Sequence, residues 1–576
     1  PIVGWLPRYN RRWFAGDLLA GLTVGILLVP QSLAYAKLAG MPIETGLYGA
    51  LIGTLLYTFM GTSKDINMGP VAVLALYNSG VVRRVVEEYA DHRGSLSNAQ
   101  LAAAVGSTLS FFAGLLVLIL GLLRLGMVLD FVSNPAMIGV ITGAGLTVFA
   151  SQLPSVIGVP NINNRNSPYR VIYDTLAALP TISWPDLVVG LTTVGCLIVF
   201  KYLGQRYGKR SPIVKSLSLA RMPITFFLFT LMSFIVSRFE PYAKAHPFSI
   251  VRNVPSGMPK PEVPKLDWDF VQLILPSVPI AAVISVVEHV AIAKDLGRKS
   301  NYQPDCSQEL ITIGTINTVS PFFRGFISSG AIVRTAVNNQ AGARSPLTSF
   351  ICFLIVGAAI LFLPPAFFYV PNSSLAGVII MVVPNLVRGP AVFRRLWRIE
   401  PTDFFAAIFA VVIIFFTSIE TGIAVAVGFS LLVLLYRFAR PKHSALEQLR
   451  DAPTQYVDRR DPKYDTVPPP PGIVIFRLEG ALLYPNSEYV QQKIVNLVLG
   501  STRSASEETG AIARDASWSN DMPQPFTKLP PLRRVILDFS EISQIDTSGL
   551  QMLLDLRDEL ARYTGLGHFT LHFVAV

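Results

Sequence analysis

Two ionisable residues in apolar surroundings could do chemistry here, Glu288 and Arg334. Glu288 lies in the run Val271–Ala293, which is apolar enough to cross a membrane. A charged side chain at the centre of a spanning helix costs roughly 2.5–3.5 kcal/mol on translocon scales. Such residues face a bundle interior or a wet cavity and often mark ion or proton pathways, a static buried ion pair being the plain alternative. Arg334 follows Ser328-Ser329-Gly330 in a second apolar stretch. A guanidinium stays charged at physiological pH and offers a planar fork of donors that suits an oxyanion. Its burial calls for a carboxylate or a bound anion, and Glu288 is the expected partner; the other possibility is that Arg334 snorkels to the interface. The chemistry implied is anion binding beside an acid able to take up a proton.

The elements that must position these groups are interrupted ones. Read along the chain, hydrophobic segments are expected at 17–37, 45–61, 68–82, 101–123, 132–155, 185–203 and 222–238. A second set follows at 270–293, 307–322, 328–340, 346–364, 372–387, 403–418 and 420–438. The third member of the first set opens at Gly69-Pro70, and the third of the second set opens at Ser329-Gly330. Short or Gly/Pro-broken segments at matching places in two halves point to a transporter's binding site. Pro suits the first turn of a helix, where its missing N–H would be unpaired anyway. A helix start in mid-membrane presents free N–H groups and the positive dipole end, both of which favour an anion. Two ordinary spans with frayed ends are the alternative.

Composition agrees with this class. The 576 residues are 51% hydrophobic and 15% charged, with a mean hydropathy of +0.48, as in a polytopic membrane protein with some soluble mass. The net charge of +11 is topological in its distribution. Lys201, Arg206, Lys209, Arg210, Lys215 and Arg221 share one connection without an acid, and Arg388, Arg394, Arg395 and Arg398 share another. The positive-inside rule makes those connections cytoplasmic, together with Arg8, Arg11 and Arg12, and an even number of spans puts both termini inside. This argues against a nucleic-acid partner. Cys196, Cys306 and Cys352 have no metal spacing and the six histidines form no cluster, so neither metal nor cofactor is expected. No nucleophile–base pair or phosphate loop suggests an enzyme. Among weaker charges, Glu420 reads as a boundary residue and Asp17 as a complement to the first helix dipole. Lys37 reads as a snorkelling end, and His289 as a neighbour of Glu288 turned about 100° away from its cavity.

The run Asp17-Leu-Leu-Ala-Gly-Leu-Thr-Val-Gly-Ile-Leu-Leu-Val-Pro-Gln31-Ser-Leu-Ala-Tyr35 closely resembles the first span of SulP sulfate permeases. Phe59-Met-Gly-Thr-Ser-Lys-Asp-Ile-Asn-Met-Gly-Pro, Glu288-His-Val-Ala-Ile-Ala-Lys-Asp-Leu-Gly-Arg, Gln308-Glu-Leu-Ile-Thr-Ile-Gly and Arg334-Thr-Ala-Val-Asn-Asn-Gln-Ala-Gly continue it. The Glu288 segment is most similar to fungal members. The resemblance implies a polytopic α-helical protein of 14 transmembrane segments, arranged as 7+7 inverted repeats (about 17–238 and 270–438) in core and gate domains. It also implies an anion held between the starts of the third and tenth helices. Gln31, Tyr35, Gly69, Val71, Ala72, Ser329, Gly330, Ala331 and Arg334 would line that site, with Glu288 in proton coupling. One departure stands out: where relatives commonly read Tyr-Pro-Ala-Thr-Gly-Ser-Phe-Ser-Arg, this chain has Phe326-Ile-Ser-Ser-Gly-Ala331-Ile-Val333-Arg334. Two hydroxyls are gone, and a hydrogen bond to a charged group is worth roughly 1.5–3 kcal/mol.

Beyond residue 438 the character changes. The stretch 439–472, ending in Pro468–Pro471, reads as a linker, after a cytoplasmic segment 1–16 and a transport domain 17–438. Strands at 473–477, 534–539 and 569–574 alternate with helices at 487–499 and 548–563, an α/β layer pattern. Val535-Ile-Leu-Asp-Phe-Ser and Ile545-Asp-Thr-Ser-Gly resemble the STAS domain that SulP proteins carry, expected over 473–576 without its last helix. The insert 501–528 reads as a mobile loop. Asp546, Thr547 and Ser548 read as a helix cap; in bacterial STAS relatives a hydroxyl at this place is a phosphorylation site. The expected function is proton-coupled sulfate uptake in the plasma membrane by a homodimer involving its STAS domains. An exchanger or channel-like conductor for chloride, bicarbonate or oxalate, or a transport-deficient sulfate sensor, is the alternative.

Overall fold

The computed structural model describes residues 1–89, 97–124, 133–164, 166–208, 210–238, 246–251, 254–452, 454–503, 529–564 and 569–575. They fall into two compact units, Pro1–Ser430 and Leu431–Val576. The first is helical. Its principal helices begin with α1 (Arg11–Leu38), α2 (Glu44–Met60), α3 (Ala72–Glu88), α4 (Asn98–Leu122), α5 (Asn134–Ile157), α6 (Trp184–Tyr207) and α7 (Arg221–Val236). After the Pro-broken helix Trp268–Ile274 come α8 (Val278–Lys299), α9 (Cys306–Val319), α10 (Ile332–Ala341), α11 (Leu347–Phe362), α12 (Asn372–Ile380), α13 (Pro401–Phe416) and α14 (Ile419–Ala439). Each hydrophobic segment read from the sequence carries a helix. Seven helical stretches among the described residues are individually long and apolar enough to cross a membrane. The helices α3 and α10 are preceded by two-residue strands, β1 (Met68–Gly69) and β2 (Ser329–Gly330).

Several side-chain roles differ from the expectation. The first helix starts at Arg11, because Asn10 Oδ1 accepts the N–H groups of Arg12 and Trp13, each at 3.0 Å, a standard N-cap. Asp17 is therefore inside α1 and serves a different helix. Its carboxylate accepts the Arg344 N–H at 2.6 Å, the Ser345 N–H at 3.0 Å and the Ser345 hydroxyl, tying α1 to the entry of α11. Lys37 does not snorkel; its ammonium donates to Asn372 Oδ1 at 2.6 Å, at the start of α12. Glu420 sits in the first turn of α14, in keeping with a boundary position.

The second unit is built on a six-stranded sheet. The linker reading of 439–472 is corrected here: most of it is β-structure, namely β3 (Lys442–Leu449), β4 (Tyr456–Asp458) and β5 (Thr466–Val467). The strand β3 pairs antiparallel with both, and with β6 (Ile473–Glu479). Only the prolines between β5 and β6 act as a connector. Parallel pairing runs from β6 to β7 (Arg534–Asp538) and on to β8 (Thr570–Val574). The helices α15 (Ser487–Ser501) and α16 (Thr547–Tyr563) lend Val490, Ile494, Val498, Leu556 and Leu560 to a core with Val474, Phe476, Val535 and Leu537. The expected loop 501–528 lies outside the described residues from 504 onward.

Candidate functional site

The site is assembled where β1 meets β2. The two strands pair antiparallel, Met68 with Gly330 and Gly69 with Ser329, so segments far apart in sequence lie side by side immediately before their helices begin. Neither helix start is capped by a side chain. Val71 is the N-cap of α3 and Ala331 that of α10, and neither residue has a side-chain acceptor for the first-turn N–H groups. Both helices therefore begin with unsatisfied donors at adjoining points, the arrangement that attracts an anion. Gly69 has φ +156°, and a Cβ there would lie 3.2 Å from Arg334 Nη2, so glycine admits both the backbone and the guanidinium.

Arg334, in the first turn of α10, is wholly buried. Its Nε donates to Asn67 Oδ1 at 3.1 Å, and its Nη1 to the Pro70 carbonyl at 2.9 Å and Gln31 Oε1 at 3.3 Å. All three acceptors are neutral, and Nη2 has no partner among the described residues. The expected ion pair with Glu288 is not formed: among the described residues no salt bridge joins them, and Glu288 Oε2 is itself a buried atom without a partner. The two charges interact only through the field between them, in which the Tyr35 hydroxyl also lies. Gln31 and Tyr35 sit one turn apart on α1 and so share a face. The structure thus gathers Gln31, Tyr35, Gly69, Val71, Ala72, Gly330, Ala331, Arg334 and Glu288 in one region. It redirects Ser329, whose hydroxyl donates to the Ser285 carbonyl on α8 at 2.9 Å and is spent on packing.

Other residues support this framework. Asn67 orients its oxygen toward Arg334 while its amide donates to Cys352 Sγ at 3.4 Å. Asn317 on α9 clamps the chain before β2, accepting the Ser328 N–H at 2.8 Å and donating to its carbonyl at 3.0 Å. His289 reaches Glu309: Nε2 and Oε2 are 2.5 Å apart and both side chains are wholly buried. Glu309 also accepts the Tyr57 hydroxyl at 3.2 Å, the Thr62 N–H at 2.7 Å, the Thr62 hydroxyl and the Ser63 N–H at 3.1 Å. Asn67 and Glu309 stand inside motifs quoted above, yet spacing alone does not reveal that they meet other helices. In the second unit the cap of α16 is Asp546, accepting the Gly549 N–H at 2.8 Å and the Tyr484 N–H at 2.7 Å; Thr547 is exposed and Ser548 half-buried. The Gly549 N–H holds the Asp546 carboxyl below its usual range, with desolvation opposing and the Tyr484 N–H adding to it.

Solved structures share this fold. The overall structure of SLC26A9 matches with a TM-score of 0.85 at 24% identity, covering 100% of this chain and 87% of that one. The transmembrane domain of the cyanobacterium bicarbonate transporter BicA matches with a TM-score of 0.58 at 20% identity, covering 73% and 99%. The fold is thus SLC26A9-like, a helical core followed by a STAS domain, whose sequence profile matches residues 466–565. The profile of the Sulfate permease family matches residues 14–411; the chain belongs to that family and is an integral membrane protein. Sulfate permease 2 of Neurospora crassa is 34% identical, covering 100% of this chain and 74% of that protein. Sulfate transporter 1.1 of Arabidopsis thaliana is 30% identical, covering 98% and 81%, and Sulfate permease 1 of Saccharomyces cerevisiae 29%, covering 98% and 76%.

Proposed function

We propose that this protein is a secondary active transporter that takes up sulfate together with protons by alternating access. The carrying observation is the meeting of two uncapped helix starts beside a buried guanidinium with one unpartnered nitrogen. Backbone N–H groups of α3 and α10 and the Arg334 Nη2 hold the anion, and Gln31 and Tyr35 line the pocket from α1. With Glu288 ionised, its charge offsets Arg334 and opposes a dianion; protonation removes that opposition, so proton and anion load together and leave together inside. The 7+7 repeat organisation, a plasma-membrane location with cytoplasmic termini and a homodimer involving the STAS domain belong to the same proposal. The relatives named sulfate permeases and sulfate transporters support the choice of anion.

A second reading draws on Ala331 and on the Ser329 hydroxyl being spent on Ser285. With fewer hydroxyl donors, the site suits exchange or conduction of chloride, bicarbonate or oxalate, or sensing without transport. Labelled sulfate uptake by proteoliposomes against a pH gradient, with those anions as competitors, separates the readings. Sulfate uptake accelerated by external acid is expected, lost in Glu288→Gln while anion exchange persists. Arg334→Ala is expected to abolish anion binding. An unchanged pH dependence in Glu288→Gln would end the coupling role, and chloride flux indifferent to protons would favour the second reading.

A further inference from the structure

We infer that His289 is a second proton-accepting site of the carrier, filled along with Glu288 when the anion binds. The inference rests on the proton-coupled reading above but on different atoms. His289 is wholly buried on α8. Its Nε2 contacts Glu309, whose oxygens are already occupied by two backbone N–H groups and two hydroxyls. A carboxylate supplies the lone pairs these donors need, so a ring hydrogen belongs on Nε2, and in the neutral imidazole the lone pair is on Nδ1. Nδ1 has no hydrogen-bond partner among the described residues. It points at Gly330, where a Cβ would lie only 3.1 Å away, and Gly330 immediately precedes the cap of α10. A free basic nitrogen is thus buried beside one wall of the anion site, with a counter-charge already in contact.

The step is a proton transfer alone. A hydronium ion in the pocket gives its proton to the Nδ1 lone pair and becomes water, and the imidazolium formed is balanced by the Glu309 carboxylate. Release reverses the step. The added charge sits beside β2, where it favours an anion and is favoured by one. A polar chain continues from Glu309 through Ser63 to the Tyr302 hydroxyl at 2.5 Å, then to Asp65 at 3.1 Å and the Lys64 ammonium at 2.7 Å.

The groups facing His289 are few. From α9 comes Glu309 and from α2 the Tyr57 ring, 6.1 Å away edge-on; the charged residue of α10 is Arg334, in its first turn. The helix α4 carries no ionisable side chain, and neither does β2. On α3, Arg84 is engaged at the other end of the packing, with Leu273 and Ser277, and its neighbour Arg83 and the acids Glu87 and Glu88 lie in the same last turns. Glu288 adjoins on α8 itself.

The test is the number of protons moved per sulfate. In proteoliposomes at clamped potential, each coupled proton changes the equilibrium sulfate accumulation tenfold per pH unit. The wild type is expected to show about a hundredfold change, and His289→Gln about tenfold, because the Gln amide can keep the donor to Glu309 but cannot take a proton. A merely structural histidine would leave the His289→Gln slope at the wild-type value, which overturns the inference. Should that variant fail to fold, calorimetry of sulfate binding to the wild type in buffers of different ionisation enthalpy counts the protons taken up. A maximum above one across the pH range supports a second site; one that never exceeds one overturns it. Accumulation indifferent to pH in the wild type would overturn the coupled-transport reading and this inference with it, whereas a pH slope carried by Glu288 alone overturns only the inference.

Discussion

Glu288 and Glu309 are buried carboxylates on consecutive helices of the same unit, and their surroundings are opposite. Around Glu309 the chain has gathered an imidazole, a phenol, a threonine hydroxyl and two backbone N–H groups. Around Glu288 no hydrogen-bond partner stands among the described residues, Oε2 being buried without one, and Arg334 is beyond ion-pair distance. A group solvated by fixed donors is held in one charge state, because every donor would lose its acceptor if the charge disappeared. A group left without donors can change state with little rearrangement of its neighbours. The first arrangement builds a scaffold; the second suits the switch proposed for Glu288.

The contrast can be broken most sharply through stability. Glu309→Ala leaves several buried donors and His289 without an acceptor, and is expected to destabilise the protein by roughly 3–5 kcal/mol. Glu288→Ala removes a buried carboxylate that no partner compensates and is expected to be neutral or mildly stabilising. Thermal denaturation of the purified variants in detergent checks both, and comparable losses would erase the distinction. A smaller effect concerns the anion. Ala331→Ser returns a hydroxyl beside the α10 start, and sulfate affinity is expected to rise by about tenfold, the gain of one charged hydrogen bond at the low end of its range. Weaker binding on titration would mean that the new hydroxyl caps the helix and withdraws N–H groups from the ligand. The smallest effect lies in the second unit, at the carboxylate of Asp546, which is also held by fixed donors. Its depressed pKa means that its stabilisation is present above the ordinary carboxylate range and is lost as pH falls through the lowered value. Amide exchange in the first turn of α16 should therefore quicken only in acid for the wild type, and already at neutral pH in Asp546→Ala.

Much of this architecture could be read from residue order. Apolar length located the helices of the membrane unit, and the breaks at Gly69-Pro70 and Ser329-Gly330 marked the two helix starts, because a chain that stops and restarts in apolar surroundings leaves a signature in Gly and Pro. The charges of the site were visible for the same reason, being rare where they stand. Their partners were not. That Arg334 rests on Asn67, Gln31 and the Pro70 carbonyl depends on how α10 is rotated against α1 and β1, which neither spacing nor polarity encodes. Asp17 misled because an acid near a helix start suits its own dipole, yet this one is used by another helix. The stretch 439–472 misled because its strands are short, charged and followed by four prolines, and edge strands of that kind look like linkers until their pairing is known.

The two-residue ribbon of β1 and β2 carries a mechanical consequence. It staples the two helix starts with main-chain bonds that do not depend on any side chain. The two helix starts cannot part without breaking that seam. On the alternating access proposed above, the stapled piece would move as a whole, or its surroundings would move past it, so that a bound ion would travel in a cradle that keeps its shape.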